Sequence, residues 1–257
     1  MSVQCAKNTR NIALRLAYDG TNYHGWQEQS NLPTVAQTLR KAIEAVVGSR
    51  INLIGCGRTD AGVHAETYVA NFQTSSSIPT DRIPYAINTK LPSDISVYEA
   101  AEVPLSFHSV FSSTKKEYTY VIYCNRVKNP FYHNRAMFYP KPLDIEIMRR
   151  AAAEFLGEHD FRAFRSVGSN VKTTVRTLFS FDVDVEGELV KLRVSANGFL
   201  YNMARTLVGT LLYVSEGKIT PEDIRGIFES GERMNAGPTV PACGLYMTDV
   251  LYNIPVF

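Results

Sequence analysis

Asp60 is the side chain whose surroundings in this sequence point most directly to chemistry. It stands in the run Gly57-Arg58-Thr59-Asp60-Ala61-Gly62-Val63-His64-Ala65, where a carboxylate follows an apolar stretch on a turn with a glycine near each end. A carboxylate held on a rigid frame and left accessible can attack an electrophilic centre. The same residue types also make an ordinary turn in which Asp60 bonds its own backbone. From composition alone that plainer reading is the stronger.

Two other side chains could serve the same centre. Arg205 interrupts the apolar stretch Gly198 to Leu212, in which Leu200, Met203, Ala204, Leu207, Val208 and Leu211 fall on one helical stripe. An arginine there must either snorkel outward or be paired, because an unpaired buried charge is strongly destabilising. Tyr118 lies just behind Lys115 and Lys116 at the start of an alternating stretch, with Tyr120 and Ile122 on its face and Thr119, Val121 and Tyr123 on the other. Such an aromatic either stacks on a planar base or belongs to a core stripe.

The elements that must position these groups follow from periodicity. Ile51 to Ile54 and Tyr68 to Phe72 alternate as strands on either side of Asp60, and Ile12 to Tyr18 reads as a strand ending at Asp19-Gly20. Thr34 and Gln37 form a capping box for a helix with Val35, Leu39, Ala42, Ile43, Val46 and Val47 on one stripe, which Gly48 ends. A short helix is expected over Ile83 to Asn88 and a strand over Ile95 to Ala101. Further on, Asp144 caps a helix running to Gly157. Val175 to Val185 and Leu189 to Ala196 read as a hairpin, Thr220-Pro221 begins a last helix, and Leu245 enters a closing strand. The expected fold is α+β, with two sheet-plus-helix halves of ferredoxin-like or RRM-like type joined into an extended, mainly antiparallel sheet with the active cleft between them. Pro104 to Ser109 is the expected boundary, giving domains 1–106 and 107–257.

The formal net charge of +2 hides a segregation: residues 111–176 carry twelve Lys/Arg against six Asp/Glu. That local excess suits phosphate contacts, and it also fits an unevenly charged solvated surface. Within it, the loop Ser166 to Asn170, flanked by Arg162, Arg165, Lys172 and Arg176, reads as a basic element able to grip a phosphate backbone. The loop Thr21 to Gln29 holds the single Trp, Trp26, with amides and a His. It could stack on bases or plug the core. His159 and Asp160 are adjacent and so do not face each other, and Phe107-His108 has no metal-ligand spacing around it; both pairs read as structural. Four scattered cysteines suggest neither a zinc site nor a disulfide framework, and no phosphate-cradling glycine loop is present. No cofactor, metal or membrane association is expected, and a cytoplasmic location is.

The run from Gly57 to Ala65 is similar to the signature of the TruA family of tRNA pseudouridine synthases, matching it at nine consecutive positions. The resemblance recurs along the chain. It is carried by Tyr18-Asp19-Gly20 with Tyr23-x-Gly25-Trp26-Gln27-x-Gln29, by Lys116-x-Tyr118-x-Tyr120, by Gly157 to Phe161 with Phe164-Arg165, by Phe199-Leu200 with Arg205, and by Pro238 to Leu245. Three positions depart from the family pattern, with Ala36 and Arg40 where Gln and Glu are usual and Ala242 where a second Pro is common. The resemblance implies a cofactor-free isomerase converting uridine to pseudouridine on the 3′ side of the tRNA anticodon stem-loop. Asp60 would be its nucleophile, with Arg205 beside it to keep the carboxylate ionised and oriented. Tyr118 would pack on the target base, Leu245 would line the base pocket and Arg58 would contact substrate. Trp26 would belong to an RNA-facing loop. The resemblance also implies a homodimer. Two rival readings are a non-catalytic RNA-binding module of the same fold and a nucleoside hydrolase, which would release free base.

Overall fold

A computed structural model describes residues 9–166, 168 and 171–257 of the chain. Those residues form five α-helices and ten strands in mainly antiparallel pairing, an α+β chain as expected. Contacts divide it into two compact units, one of Met1–Thr114 with Val250–Phe257 and the other of Lys115–Asp249.

The first unit runs β1 (Arg10–Tyr18), α1 (Val35–Val47), β2 (Ile54–Gly55), β3 (His64–Thr74), α2 (Ile83–Asn88) and β4 (Ile95–Val103). Its strands lie in the order β4-β1-β3-β2, the split β-α-β arrangement of ferredoxin-like folds. Ile12, Leu14 and Leu16 of β1 are fully buried, as the alternation requires, and so are Leu39 and Ile43 of α1. Thr34 caps α1 by accepting from the Gln37 N–H, and Gly48 closes it at φ +71°. A cap of this kind is worth ~1 kcal/mol.

The segment expected to be a boundary is instead stitched to the first unit. The Asn11 side-chain amide donates to the Pro104 and Phe107 carbonyls at 3.0 Å each. Asn71 accepts from both the Ser109 N–H (3.0 Å) and the Ser109 hydroxyl (2.6 Å). Phe107 packs on Ala13 and Val103, with Tyr252, Ile254 and Val256 of the chain's last residues against them. Buried amides satisfied this way leave little freedom for a linker. The partition therefore departs from a single cut at 106/107, because residues 107–114 and 250–257 pack with the first unit.

The second unit contains β5 (Ser113–Cys124), β6 (Met137–Tyr139), α3 (Ile145–Ala153), β7 (Gly157–Asp160), β8 (Val175–Glu186), β9 (Leu189–Ala196), α4 (Met203–Ser215), α5 (Asp223–Ser230) and β10 (Leu245–Tyr252). The first two residues of β5 and the last three of β10 belong to the first unit. The strand order is β10-β5-β9-β8-β7, so β5, β8, β9 and β10 repeat the arrangement of β1, β2, β3 and β4. The similar order of elements in the two halves thus reflects one topology used twice. Asp144 caps α3 by accepting from the Ile147 N–H, and Met148, Ala151 and Ala152 form its buried face. Phe155, Phe161 and Phe164 are fully buried beside it.

Candidate active site

Asp60 lies in the connection between β2 and β3, residues 56–63. Its side chain is half-buried, while its neighbours Arg58 and Ala61 are exposed and Thr59 is buried. The turn closes on itself through the Val63 N–H, which donates to the Asp60 carbonyl at 3.1 Å. Further contacts that hold it within the first unit come from the stretch Tyr18–Trp26 and from β3.

Several of these contacts are polar and buried. The Tyr18 and Thr59 hydroxyls lie 2.8 Å apart in a hydrogen bond. The Trp26 N–H donates to the Thr59 carbonyl (3.1 Å), and the Gly62 N–H to the Tyr23 carbonyl (3.2 Å). On the far side, the Gly20 N–H donates to Nδ1 of buried His64 at 3.1 Å, and the Tyr68 hydroxyl donates to the Gly57 carbonyl. Each such bond contributes ~1 kcal/mol net, and the group left behind when one is broken costs more. Gly25 is needed here: it sits at φ +82°, and a Cβ on it would lie 2.4 Å from the Thr59 carbonyl oxygen.

Trp26 requires a correction. Its ring is 5 % exposed and stacks on Tyr68 with centroids 4.2 Å apart, Tyr18 completing the cluster. An indole whose face is already covered has none to offer a base. The loop does keep His24, Gln27 and Gln29 exposed, so it is divided into a polar outer side and an aromatic inner side. The inner side carries the Asp60 turn. Arg40, one of the departures from the family pattern, ties this loop to α1 through a two-point pair with Glu28, at 2.7 and 3.0 Å.

In the second unit, Arg205 falls in the first turn of α4 and is neither fully exposed nor fully buried. Its Nε donates to the Val240 carbonyl (2.7 Å) and its Nη1 to the Asn202 Oδ1 (2.8 Å). The chain after Val240 leads through Ala242–Gly244 to Leu245, which is buried at the start of β10. The same stretch is pinned to β5 by the Tyr120 hydroxyl, which donates to the Pro241 carbonyl at 2.8 Å. Burial pushes the Tyr120 phenol well above its ordinary range, so it remains a donor throughout the neutral range. Tyr118, two residues before Tyr120, is 7 % exposed, pairs in register with Val194, and meets Phe199 edge to face at 4.9 Å. Arg205, Leu245 and Tyr118 are thus fastened to one framework of β5, β10 and the 238–245 stretch. Phe199 was marked only as part of the Phe199-Leu200 motif ahead of Arg205, with no contact to Tyr118 foreseen, and nothing in the spacing marks the Val240 carbonyl.

The remaining expected sites are dispersed. Arg165 is half-buried just after a short 3-10 turn, and Lys172 is exposed. Of the loop between them, Val167, Ser169 and Asn170 lie outside the described residues. His159 stacks on Phe228 at 4.5 Å and Asp160 caps the turn that follows, the structural roles expected of them. His108 Nδ1 accepts from the Val110 N–H, again a capping role. Among the described residues no group of three or more His, Cys, Asp or Glu could hold a metal ion, and no helix is long and apolar enough to cross a membrane.

A family model described as tRNA pseudouridine synthase matches residues 16–112 and 151–253. The chain belongs to the tRNA pseudouridine synthase family. It is accordingly an isomerase of the class that acts on tRNA. Curated relatives agree along nearly its whole length. The tRNA pseudouridine synthase A of Caldicellulosiruptor bescii is 48 % identical over 243 residues, covering 95 % of this chain and 100 % of that one. That of Acetivibrio thermocellus is likewise 48 % identical over 243 residues, with the same coverage. The tRNA pseudouridine synthase A 2 of Clostridium perfringens is 45 % identical over 244 residues, covering 95 % of this chain and 100 % of its own. In this synthase the matched segments contain the Asp60 turn and its support, Arg205 and Leu245, whereas Tyr118 falls between them.

Proposed function

We propose that this synthase isomerises uridine to pseudouridine on the 3′ side of the tRNA anticodon stem-loop, with Asp60 as the nucleophile. The observation that carries the reading is the Asp60 turn itself. A family signature of nine residues is built as a braced loop whose carboxylate is half-buried, between buried Thr59 and exposed Ala61, with Arg58 exposed. That geometry restricts the carboxylate's direction while leaving it reachable, as a nucleophile requires.

The reaction balances without a co-reactant. The N1–C1′ bond of uridine breaks, the uracil turns, C5 bonds to C1′, the C5 hydrogen leaves as a proton and N1 gains one. No electrons are transferred, so no redox partner is needed. The target nucleotide must leave its stack, at a cost of about a few kcal/mol. In this reading Tyr118 supplies the flat surface for the displaced base and Leu245 an apolar wall. Arg205 favours the ionised carboxylate, and Arg58 contacts the substrate. Arg165 and Lys172 neutralise phosphates, and the enzyme acts as a cytoplasmic homodimer.

Unmodified tRNAs incubated with the protein and mapped for pseudouridine test this directly. Pseudouridine confined to the 3′ side of the anticodon stem-loop, and absent with Asp60→Asn although that variant still binds tRNA, is the expected result. Pseudouridine mapped elsewhere, or formed undiminished by Asp60→Asn, contradicts it.

A further inference from the structure

Thr59 is held at both of its polar ends. Its hydroxyl meets the Tyr18 hydroxyl at 2.8 Å and its carbonyl accepts the Trp26 N–H at 3.1 Å. It is 6 % exposed and Tyr18 is 4 % exposed, the Tyr18 ring lying against those of Trp26 and Tyr68. The residue that follows it is Asp60. Tyr18 is also fixed at its own backbone, where β1 ends by pairing with Ala65 across the turn. A hydroxyl pair placed on the peptide next to a reactive carboxylate, and anchored to the last residue of a central strand, sets that carboxylate's position without touching substrate.

We infer that Tyr18 and Thr59 are positioning residues for the reaction: their hydroxyl–hydroxyl bond holds the Asp60 turn in its reactive orientation. The inference rests on the reading of Asp60 as nucleophile. The bond's location separates it from RNA binding, since both hydroxyls are inside the unit where no phosphate or base reaches them. Its loss therefore falls on the chemical step. Displacing a reacting group by about 1 Å costs up to about a hundredfold in rate, so the change in structure needed for a measurable effect is small.

Four variants test this by single-turnover and steady-state kinetics on tRNA, at a temperature well below melting and per mole of folded enzyme. Tyr18→Phe and Thr59→Val each remove one hydroxyl while keeping the shape of the side chain. Each is expected to lower kcat by about tenfold to a hundredfold with KM for tRNA within about twofold of wild type. Combined, they are expected to lose no more than either alone, because both break one bond. Thr59→Ser, which keeps the hydroxyl, is expected to restore most of kcat. A Thr59→Val kcat within about twofold of wild type overturns the inference. So does a double variant whose loss is the product of the two single losses, or a loss confined to KM. Asp60→Asn in the same assay separates the two levels. If Asp60→Asn is inactive and Tyr18→Phe is not impaired, only the positioning role fails. If Asp60→Asn turns over normally, the nucleophile reading fails first.

Discussion

The two units use one strand order, yet the connection between corresponding strands is built in opposite ways. In the second unit β8 passes to β9 through Gly187 and Glu188 alone, with Glu186 opposite Leu189 and Gly187 at φ +61°. A tight turn of this kind is specified by its own two residues and the ladder beside it. In the first unit β2 shrinks to Ile54–Gly55 and the chain takes residues 56–63 to reach β3. That longer path is held by Tyr18, Tyr23, Trp26 and Tyr68, none of which belongs to it. A turn that only joins strands can be local. The turn proposed to aim a carboxylate is over-determined from outside: Tyr18, Tyr23 and Trp26 lie 33 to 41 positions before the residues they hold, and Tyr68 lies 11 positions after Gly57.

Removing the support should cost most. Trp26→Ala leaves a large void beside Tyr68 and Tyr18 and is expected to lower stability by ~3–5 kcal/mol, read by denaturant unfolding, with the tRNA affinity of the folded fraction unchanged. A selective loss of tRNA binding at unaltered stability would instead return the indole to an RNA-facing role.

Paired alanines, one in the support of the first turn and one within the second, sharpen the contrast. Gly25→Ala must accommodate both a positive φ and a carbonyl 2.4 Å from the new Cβ. We expect it to lose ~2–3 kcal/mol of stability and most of its kcat. Gly187→Ala has a positive φ but nothing within 4 Å of the new Cβ. It should lose only ~1 kcal/mol with kcat unchanged. Equal effects on kcat at the two positions would remove the distinction.

The smallest effect is expected far from both turns. Glu216 ends α4, where the helix dipole disfavours a negative charge. Hydrogen bonds from Lys141, Lys218 and Tyr139 nevertheless lower its carboxyl to about 2. A carboxyl depressed on folding stabilises the native state above its unfolded pKa, about 4.3, and that contribution fades as pH falls from there through about 2. Glu216→Gln should therefore flatten the loss of stability between those limits while leaving turnover at neutral pH unaltered. An acid-unfolding profile identical to wild type would show that the cluster contributes nothing.

What could be read in advance divides along the same line. The Thr34 half of the expected capping box, the helix over Ile83 to Asn88, the Asp144 cap and the β8–β9 hairpin all rest on contacts within a few residues, and all are present. Patterns that were merely apolar misled. Gly198 to Asn202 continues the α4 stripe in sequence but forms a turn, because Asn202 adopts φ +61° and the helix begins at Met203. Ile51 to Leu53 alternate like a strand, yet only Ile54 and Gly55 pair with β3. The last helix begins at Asp223 rather than Thr220, since Asp223 turns back to accept from the Thr220 N–H and hydroxyl at 2.8 Å each. Asp60 was marked by its nine-residue run, whereas the Tyr18–Thr59 bond and the stacking of Trp26 on Tyr68 depend on where β1 ends relative to β3. No local pattern contains that distance. Pro104 to Ser109 was expected as a boundary because a strand–helix–strand set closes before it and the basic segment follows; Asn11 and Asn71, which bind it down, lie in distant strands.

The most direct measurement is tritium release from tRNA labelled at uracil C5, followed with tRNA binding for the wild type and Asp60→Asn. Release by the wild type, with binding but no release by Asp60→Asn, is the result expected if this turn aims the nucleophile of the isomerisation. Wild-type protein that binds tRNA without releasing tritium, or an Asp60→Asn variant that releases it at the wild-type rate, would contradict it.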